Sequence, residues 1–270
     1  VTANRIIGLA ALAALAAAAA VQLLPSQAPE FAPPPTVRID AGPQDYRPAG
    51  EFRQGTSLVD APLQRLDVAA LDIMKYHVSE ADYARCVAAG ACVAAPVGGV
   101  AHAAQTNVNH ADATAYAAWL SDQTGDSWRL PTDAEWLRAA AERGADDSLA
   151  ADTDTDSADP SRRWIAAYRR EVALRGEADL DLHPLGHFGE NSQGVADISG
   201  NIWEWTDSCF LNGLVTPEGA AIASQSEYCG VRAVQGKHRA FVIDFIRDAR
   251  SGGCAAGVPP DYLGFRLVRD

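Results

Sequence analysis

The constraint that bears hardest on how this chain folds is an alternating run late in the sequence, Gly200-Asn201-Ile202-Trp203-Glu204-Trp205. Side chains two apart on an extended strand share a face, so Trp203 and Trp205 point one way and Glu204 the other. Two neighbouring indoles bury a large area and need partners for their N–H groups, which places the segment in a core. A stacking platform for a sugar is the alternative for the pair. Glu204 is set to anchor a loop through hydrogen bonds. Two further patches stand out, Trp128-Arg129-Leu130-Pro131-Thr132-Asp133-Ala134-Glu135-Trp136 and the C-terminal Gly264-Phe265-Arg266. In the first, Thr132 and Glu135 have the spacing of a capping box that opens a helix.

The chain has 270 residues, 48% of them hydrophobic, enough for one large domain or two small ones with an ample core. A net charge of −13 argues against a nucleic-acid partner. Part of the acidity is local: Asp146, Asp147, Asp152, Asp154, Asp156 and Asp159 fall in one polar stretch, read as a solvated loop. It lacks the glycine and terminal glutamate of an EF-hand loop. At the N-terminus, Arg5 precedes an apolar run from Ile6 to Leu24, followed by Pro25 and Ser26-Gln27-Ala28. Residues 1–28 read as a signal peptide, with an uncleaved membrane anchor as the alternative. Either places the domain in the periplasm or outside the cell, touching a membrane only through this segment. Residues 29–48, rich in Pro, Ala and Gln, read as a linker, and 49–270 as the domain.

Cysteine usage agrees with export. Cys86 and Cys92 bracket a short Ala/Gly-rich turn, Cys209 and Cys229 flank a loop, and Cys254 is left over. In an oxidising compartment Cys86–Cys92 and Cys209–Cys229 are the expected disulfides, and Cys254 is a free thiol or an intermolecular partner. No Cys-x2-Cys pair exists, so zinc is not expected.

Met74–Val78 alternates as a strand, and Ser79 with Asp82 caps a helix from Glu80 to about Ala89. Asn109 caps a second helix with an apolar stripe of Ala113, Tyr116, Ala117 and Leu120, with Trp119 beside it; Gly125 stops it. In the helix after Thr132, Trp136, Leu137, Ala140 and Ala141 face inward. Beyond Gly144 the pattern reads as short strands separated by long loops. No phosphate-binding glycine loop, nucleophile elbow or zincin motif is present.

Taken together and in this order, the Trp128–Trp136, Gly194–Trp205 and Gly264–Arg266 patches resemble the formylglycine-generating enzyme / sulfatase-modifying-factor family, over about Gly50 to Arg269. Gly50-Glu51-Phe52, with Gln54-Gly55, is similar to that family's opening strand. The resemblance implies an irregular α+β fold, C-type-lectin-like, with few regular elements and long loops. It also implies a calcium loop at Asn191-Ser192-Gln193-Gly194-Val195-Ala196, where the Asn191 side chain and backbone carbonyls, Ser192, Gly194 and Ala196 among them, would bind Ca2+. The family's other calcium loop is not recognisable, although Trp164-Ile165 remains.

In the family's active oxidases the region matching Lys237–Arg247 carries two cysteines that hold copper(I), an ion that requires soft thiolates. Here the segment contains none, and Cys254 stands alone downstream. Copper is therefore not expected. A second active branch binds iron through three histidines of a separate helical domain. This chain has His77, His102, His110, His183, His187 and His238, and Pro184 speaks against a ligand-bearing helix through His183 and His187. His238 and Cys254 remain as candidate reactive residues.

The resulting expectation is an exported, non-catalytic accessory or binding protein for another exported protein. A resemblance to the branch that accompanies copper nitrite reductases in denitrification makes such an enzyme the expected partner. The alternative is a remodelled, oxygen-using or other enzyme with a site drawn from His238, Arg239, Asp244, Arg250 and Cys254. A lectin-like ligand-binding module is the third reading.

Overall fold

Twelve strands appear among the described residues. They are β1 (Thr36–Ile39), β2 (Gly42–Tyr46), β3 (Gly50–Gln54), β4 (Ser57–Val59), β5 (Gln64–Val68), β6 (Leu71–Met74), β7 (Trp128–Arg129), β8 (Trp203–Val215), β9 (Ile222–Gln235), β10 (Arg239–Ile243), β11 (Leu263–Gly264) and β12 (Val268–Arg269). Helices α1 (Glu80–Ala88), α2 (His110–Thr124) and α3 (Asp133–Ala140) lie between β6 and β8. The computed structural model describes residues 32–144, 161–162, 165, 168–169, 179, 181–243 and 259–270. The stretch 1–28 read as a signal peptide, the acidic stretch 146–159, Asp244, Arg250 and Cys254 lie outside them.

Each helix starts where its capping side chain dictates. Ser79 accepts from the Asp82 amide. Asn109 with Asp112, and Thr132 with Glu135, form reciprocal capping boxes. Gly125 ends α2 at φ 75°, the left-handed conformation a C-terminal glycine supplies without strain.

The strands form a four-stranded sheet in the order β1-β6-β12-β7, a larger sheet β10-β9-β8-β3-β4 in which β11 also pairs with β8, and the pair β2-β5. Helix α3 lays Trp136, Ala139 and Ala140 against Ile39, Val68, Leu71, Ile73 and Val268, closing the main core. Tyr83 of α1, Tyr116 of α2 and Phe265 make a second packing centre, with ring centroids 5.5–6.4 Å apart. Phe52, Ala61 and Val215 form a third, smaller one.

Three expectations are corrected. Strands β1 and β2 fall inside the stretch read as linker: β1 pairs antiparallel with β6, and Ile39 is buried. Composition averaged over twenty residues hid the Val37/Ile39 alternation that pins this strand. The strand expected at Met74–Val78 is Leu71–Met74, because the carbonyls of Met74 and Lys75 turn away to accept from Arg266. The C-terminal half is also not all short strands. β8 and β9 run 13 and 14 residues as one antiparallel ribbon. Much of β9 is exposed and polar, so it lacks the alternation that marks a half-buried strand.

Trp136 is fully buried at the centre of the main core. Trp136→Ala is expected to lower the unfolding free energy by about 3–5 kcal/mol, the cost of a large aromatic truncation in a packed core, as measured by denaturant unfolding.

Candidate functional site

The separated sequence patches meet at one buried charge. Arg266 is completely buried. Its Nε donates to Glu204 Oε2 at 2.6 Å and its Nη2 to Glu204 Oε1 at 3.0 Å. The remaining donors reach the carbonyls of Met74, Lys75 and Ala196 at 3.0–3.2 Å. His77 Nε2 lies 3.0 Å from Glu204 Oε1 and 2.9 Å from Arg266 Nη2, while its Nδ1 has no hydrogen-bond partner. Burial alone would raise the Glu204 pKa, but the Arg266 guanidinium, together with His77 and the hydrogen bonds from both, overcomes it and holds the carboxyl at about 2. Glu204 is thus a fixed anion, unsuited to proton transfer near neutrality. The expectation that Glu204 anchors a loop holds in a stronger form, since it anchors the C-terminus as well.

Trp203 and Trp205 flank this carboxylate and meet different fates. Trp205 is buried and donates its indole N–H to the Val108 carbonyl at 2.9 Å. Trp203 opens into a cleft of about 890 Å3 lined also by Asn107, Asn201, His238, Phe241, Asp261 and Tyr262, with Asp179 and Asp181 at its margin. Trp203 packs edge-to-face on His238 and Tyr262, at 5.5 and 5.9 Å, and its buried indole N–H has no partner. Gly236 makes room for this ring, since a Cβ there would lie 2.8 Å from the indole.

His238 is 7% exposed and its Nδ1 lies 2.8 Å from the Arg239 carbonyl. A carbonyl only accepts, so Nδ1 carries the proton, and in the neutral ring Nε2 keeps a lone pair. Arg239 points elsewhere. It forms a buried ion pair with Asp133 Oδ2 at 3.0 Å and stacks over Tyr46, while Gln235 donates to the other Asp133 oxygen. Burial first, then the Asp133 charge, pushes the Tyr46 hydroxyl well above its ordinary range. Of the five residues grouped as a remodelled site, the described structure therefore places His238 at the cleft and commits Arg239 to the scaffold; Asp244, Arg250 and Cys254 fall outside the described residues.

The loop resembling a calcium site is hydrogen-bonded at several points. Asn191 Oδ1 accepts from the amides of Gln193 and Val195, and its Nδ2 donates to the carbonyls of Ala139 and Ala140. The Ala196 carbonyl accepts from the Arg266 cation, and Ser192 is held by Glu142 through its amide and hydroxyl. Gly194 donates its amide to the Asn191 carbonyl. Of the oxygens such an ion would take, the Asn191 Oδ1 and the Ala196 carbonyl are thus already accepting hydrogen bonds. His183 and His187 lie in a turn, as Pro184 requires, yet their rings stack at 4.0 Å, with His183 Nε2 2.8 Å from Asp179. Both expected disulfides, Cys86–Cys92 and Cys209–Cys229, are present. His77 carried no sequence signal; only its position before the Ser79 cap could have drawn attention to it.

Comparison with known proteins agrees with this architecture. The family profile described as "Sulfatase-modifying factor enzyme 1-like domain" matches residues 21–270. The formylglycine-generating enzyme of Mycobacterium tuberculosis is 36% identical over 110 residues, 38% of this chain and 32% of that protein. That of Streptomyces coelicolor is 32% identical over 108 residues, with the same coverage of 38% and 32%. The chain thus spans 32% of the length of the curated relatives it matches. The structure of PvdO from Pseudomonas aeruginosa aligns at a TM-score of 0.52 and 21% identity, covering 88% of this chain and 94% of that one, a likeness of fold.

The buried triad makes a pH prediction. The folded-state pKa of Glu204 lies below the unfolded value of 4.5, so its stabilisation is complete above about pH 4.5 and is lost as pH falls toward 2. The depression is worth about 3 kcal/mol. Denaturant unfolding between pH 5 and 2 is expected to show that loss in the native chain, and Arg266→Met is expected to abolish it. Arg266→Met should itself cost about 3–5 kcal/mol at pH 7 by stranding the carboxylate, and adding Glu204→Leu should recover much of that cost.

Proposed function

The chain belongs to the sulfatase-modifying factor enzyme 1-like domain family, and we propose that it acts as an exported accessory protein that binds another exported protein through the Trp203–His238 cleft. The observation that carries this reading is the character of the cleft. It has exposed aromatic rims in Phe241 and Tyr262, an unpartnered indole N–H on Trp203, and no cysteine in the adjoining segment Lys237–Arg247. Buried aromatic anchors with unspent donors are what protein interfaces use as energetic centres. A copper(I) thiol oxidase of this family would need two thiolates at the segment Lys237–Arg247, which holds no cysteine, and Cys254 alone downstream cannot supply them. The copper centre therefore does not fit this donor set, and no step is derived through it. Two disulfides and the leader-like N-terminus support export. No helix among the described residues is long and apolar enough to cross a membrane. The resemblance drawn from the sequence makes a copper nitrite reductase the partner to try first.

His238 supports a second reading, a remodelled enzyme. It lines the cleft, and a neutral ring with its proton on Nδ1 leaves an Nε2 lone pair that could take a proton from a bound substrate or ligate a metal.

Both readings are separable with purified protein. In the accessory reading, the protein supplied with copper and oxygen leaves a thiol peptide unoxidised, and it binds the nitrite reductase in a calorimetric titration. Trp203→Ala is then expected to cost about 2 kcal/mol of binding, roughly thirtyfold in Kd. Copper-dependent oxidation of the peptide would overturn the accessory reading. Turnover lost in His238→Gln would establish the enzyme.

A further inference from the structure

The Cys209–Cys229 disulfide does not sit in a core. It bridges the exposed stretch of the β8–β9 ribbon, where Cys229 and Glu227 are exposed and Cys209 is half-buried. Glu227 and Cys229 are two apart on β9 and share a face. Cys209 reaches that face from β8, beside an irregularity in the strand register. The two sulfurs and a Glu227 oxygen all lie within 4.8 Å of one another. The Glu227 side chain makes no hydrogen bond or ion pair among the described residues, and Arg232, opposite Cys209, is tied to Asp207. A carboxylate without a partner is thus aimed at a sulfur pair on a rigid element.

From this we propose that Cys209, Cys229 and Glu227 form a redox-gated site for a thiophilic divalent cation of the zinc class. A dithiol reductant donates two electrons and two protons, is itself oxidised to a disulfide, and converts the Sγ–Sγ bond into two thiols. Binding of the cation then displaces both thiol protons and gives two thiolates and one carboxylate as ligands. Three protein ligands leave the fourth tetrahedral position for water or an incoming ligand, the pattern of an open site.

The ribbon is what makes the reduced state competent. β8 and β9 remain paired on both sides of the bridge, from Glu204↔Gln235 and Trp205↔Val234 on one side to Phe210↔Tyr228 and beyond on the other. A disulfide stabilises mainly by restricting the unfolded chain, so opening this one leaves the folded strands where they are. The thiols therefore stay within reach of one ion. The second disulfide differs on each count. Cys86 is 0% and Cys92 9% exposed, and neither belongs to a group of grouped ligands among the described residues. Exposure makes a disulfide reducible, so mild reduction should open one bridge and spare the other. The site is independent of the cleft and of the accessory reading.

The test uses the full chain carrying Cys254→Ser, which removes the remaining thiol. After mild treatment with a phosphine reductant, alkylation and peptide mapping should find free thiols at Cys209 and Cys229, with the circular dichroism spectrum unchanged. Cd2+ titration should then give thiolate-to-metal charge-transfer absorption that saturates at one ion per chain, and Zn2+ should displace it. The oxidised chain and Cys209→Ser should give no such band. Glu227→Gln should weaken binding by about tenfold or more, at least the loss a disturbed supporting group causes. Release of Cys86 and Cys92 under the same conditions, loss of folded structure on reduction, or free thiols at 209 and 229 without a charge-transfer band would each overturn the proposal.

Discussion

Arg266 is a guanidinium with no access to water, and the architecture around it is a response to that fact. A buried cation must be paired and its remaining donors satisfied, or the fold does not form. Glu204 supplies the charge, and three backbone carbonyls supply the acceptors. Those carbonyls belong to the end of β6, the residue after it, and the loop that follows Asn191. One side chain near the C-terminus thereby fixes the mutual position of segments more than 190 residues apart in sequence. Apolar packing could bury as much area, but it would not specify direction. The fork of a guanidinium does, because each N–H needs an oxygen in its plane.

That directionality sets the register of β8, and through it the cleft. Once Glu204 faces Arg266, strand alternation sends its neighbours to the opposite side. Trp205 reaches the Val108 carbonyl in the core, and Trp203 reaches the cleft floor. A slip of one residue would bury an indole against the guanidinium and strand the carboxylate. β11 seals the arrangement by running parallel to β8, with Leu263 opposite Trp203 and Gly264 opposite Glu204. Gly264 has to be glycine, because a Cβ there would lie 2.3 Å from the Gln105 carbonyl oxygen.

What the sequence made legible is what local chemistry determines. Ser79, Asn109 and Thr132 declared their helices because caps act within four residues. The cysteine pairs were legible from spacing and compartment. The alternation of Trp203, Glu204 and Trp205 announced a strand with a buried face, but not that Glu204 is as buried as Trp205. The partner that permits this, Arg266, is distant in sequence, and no local pattern encodes the pair. Strand β1 was lost in a Pro-rich background. The β8–β9 ribbon was invisible because its exposed half is polar on both faces and held by backbone pairing, which leaves no trace in side-chain hydropathy. The calcium loop is hard to read in sequence for a related reason. Carbonyl ligands are anonymous in sequence, so nothing there shows that Arg266 has already taken the Ala196 oxygen.

Several of the residues by which this chain is recognised are therefore committed to holding the scaffold. Glu204 and Arg266 are locked together, and Glu204 is held too acidic to move a proton near neutral pH. Glu135 is occupied by Arg129 and the Thr132 cap. Of the signature patches, Asn201, Ile202 and Trp203 line the cleft, and Asn201 is itself clipped to the His183 backbone through its amide. His238, a cleft residue, lies outside the triad. Two consequences follow from that separation. The buried charges mark the fold, and the activity is not inherited along with it. A scaffold held together by a buried charge pair is free to vary the chemistry it carries on its surface.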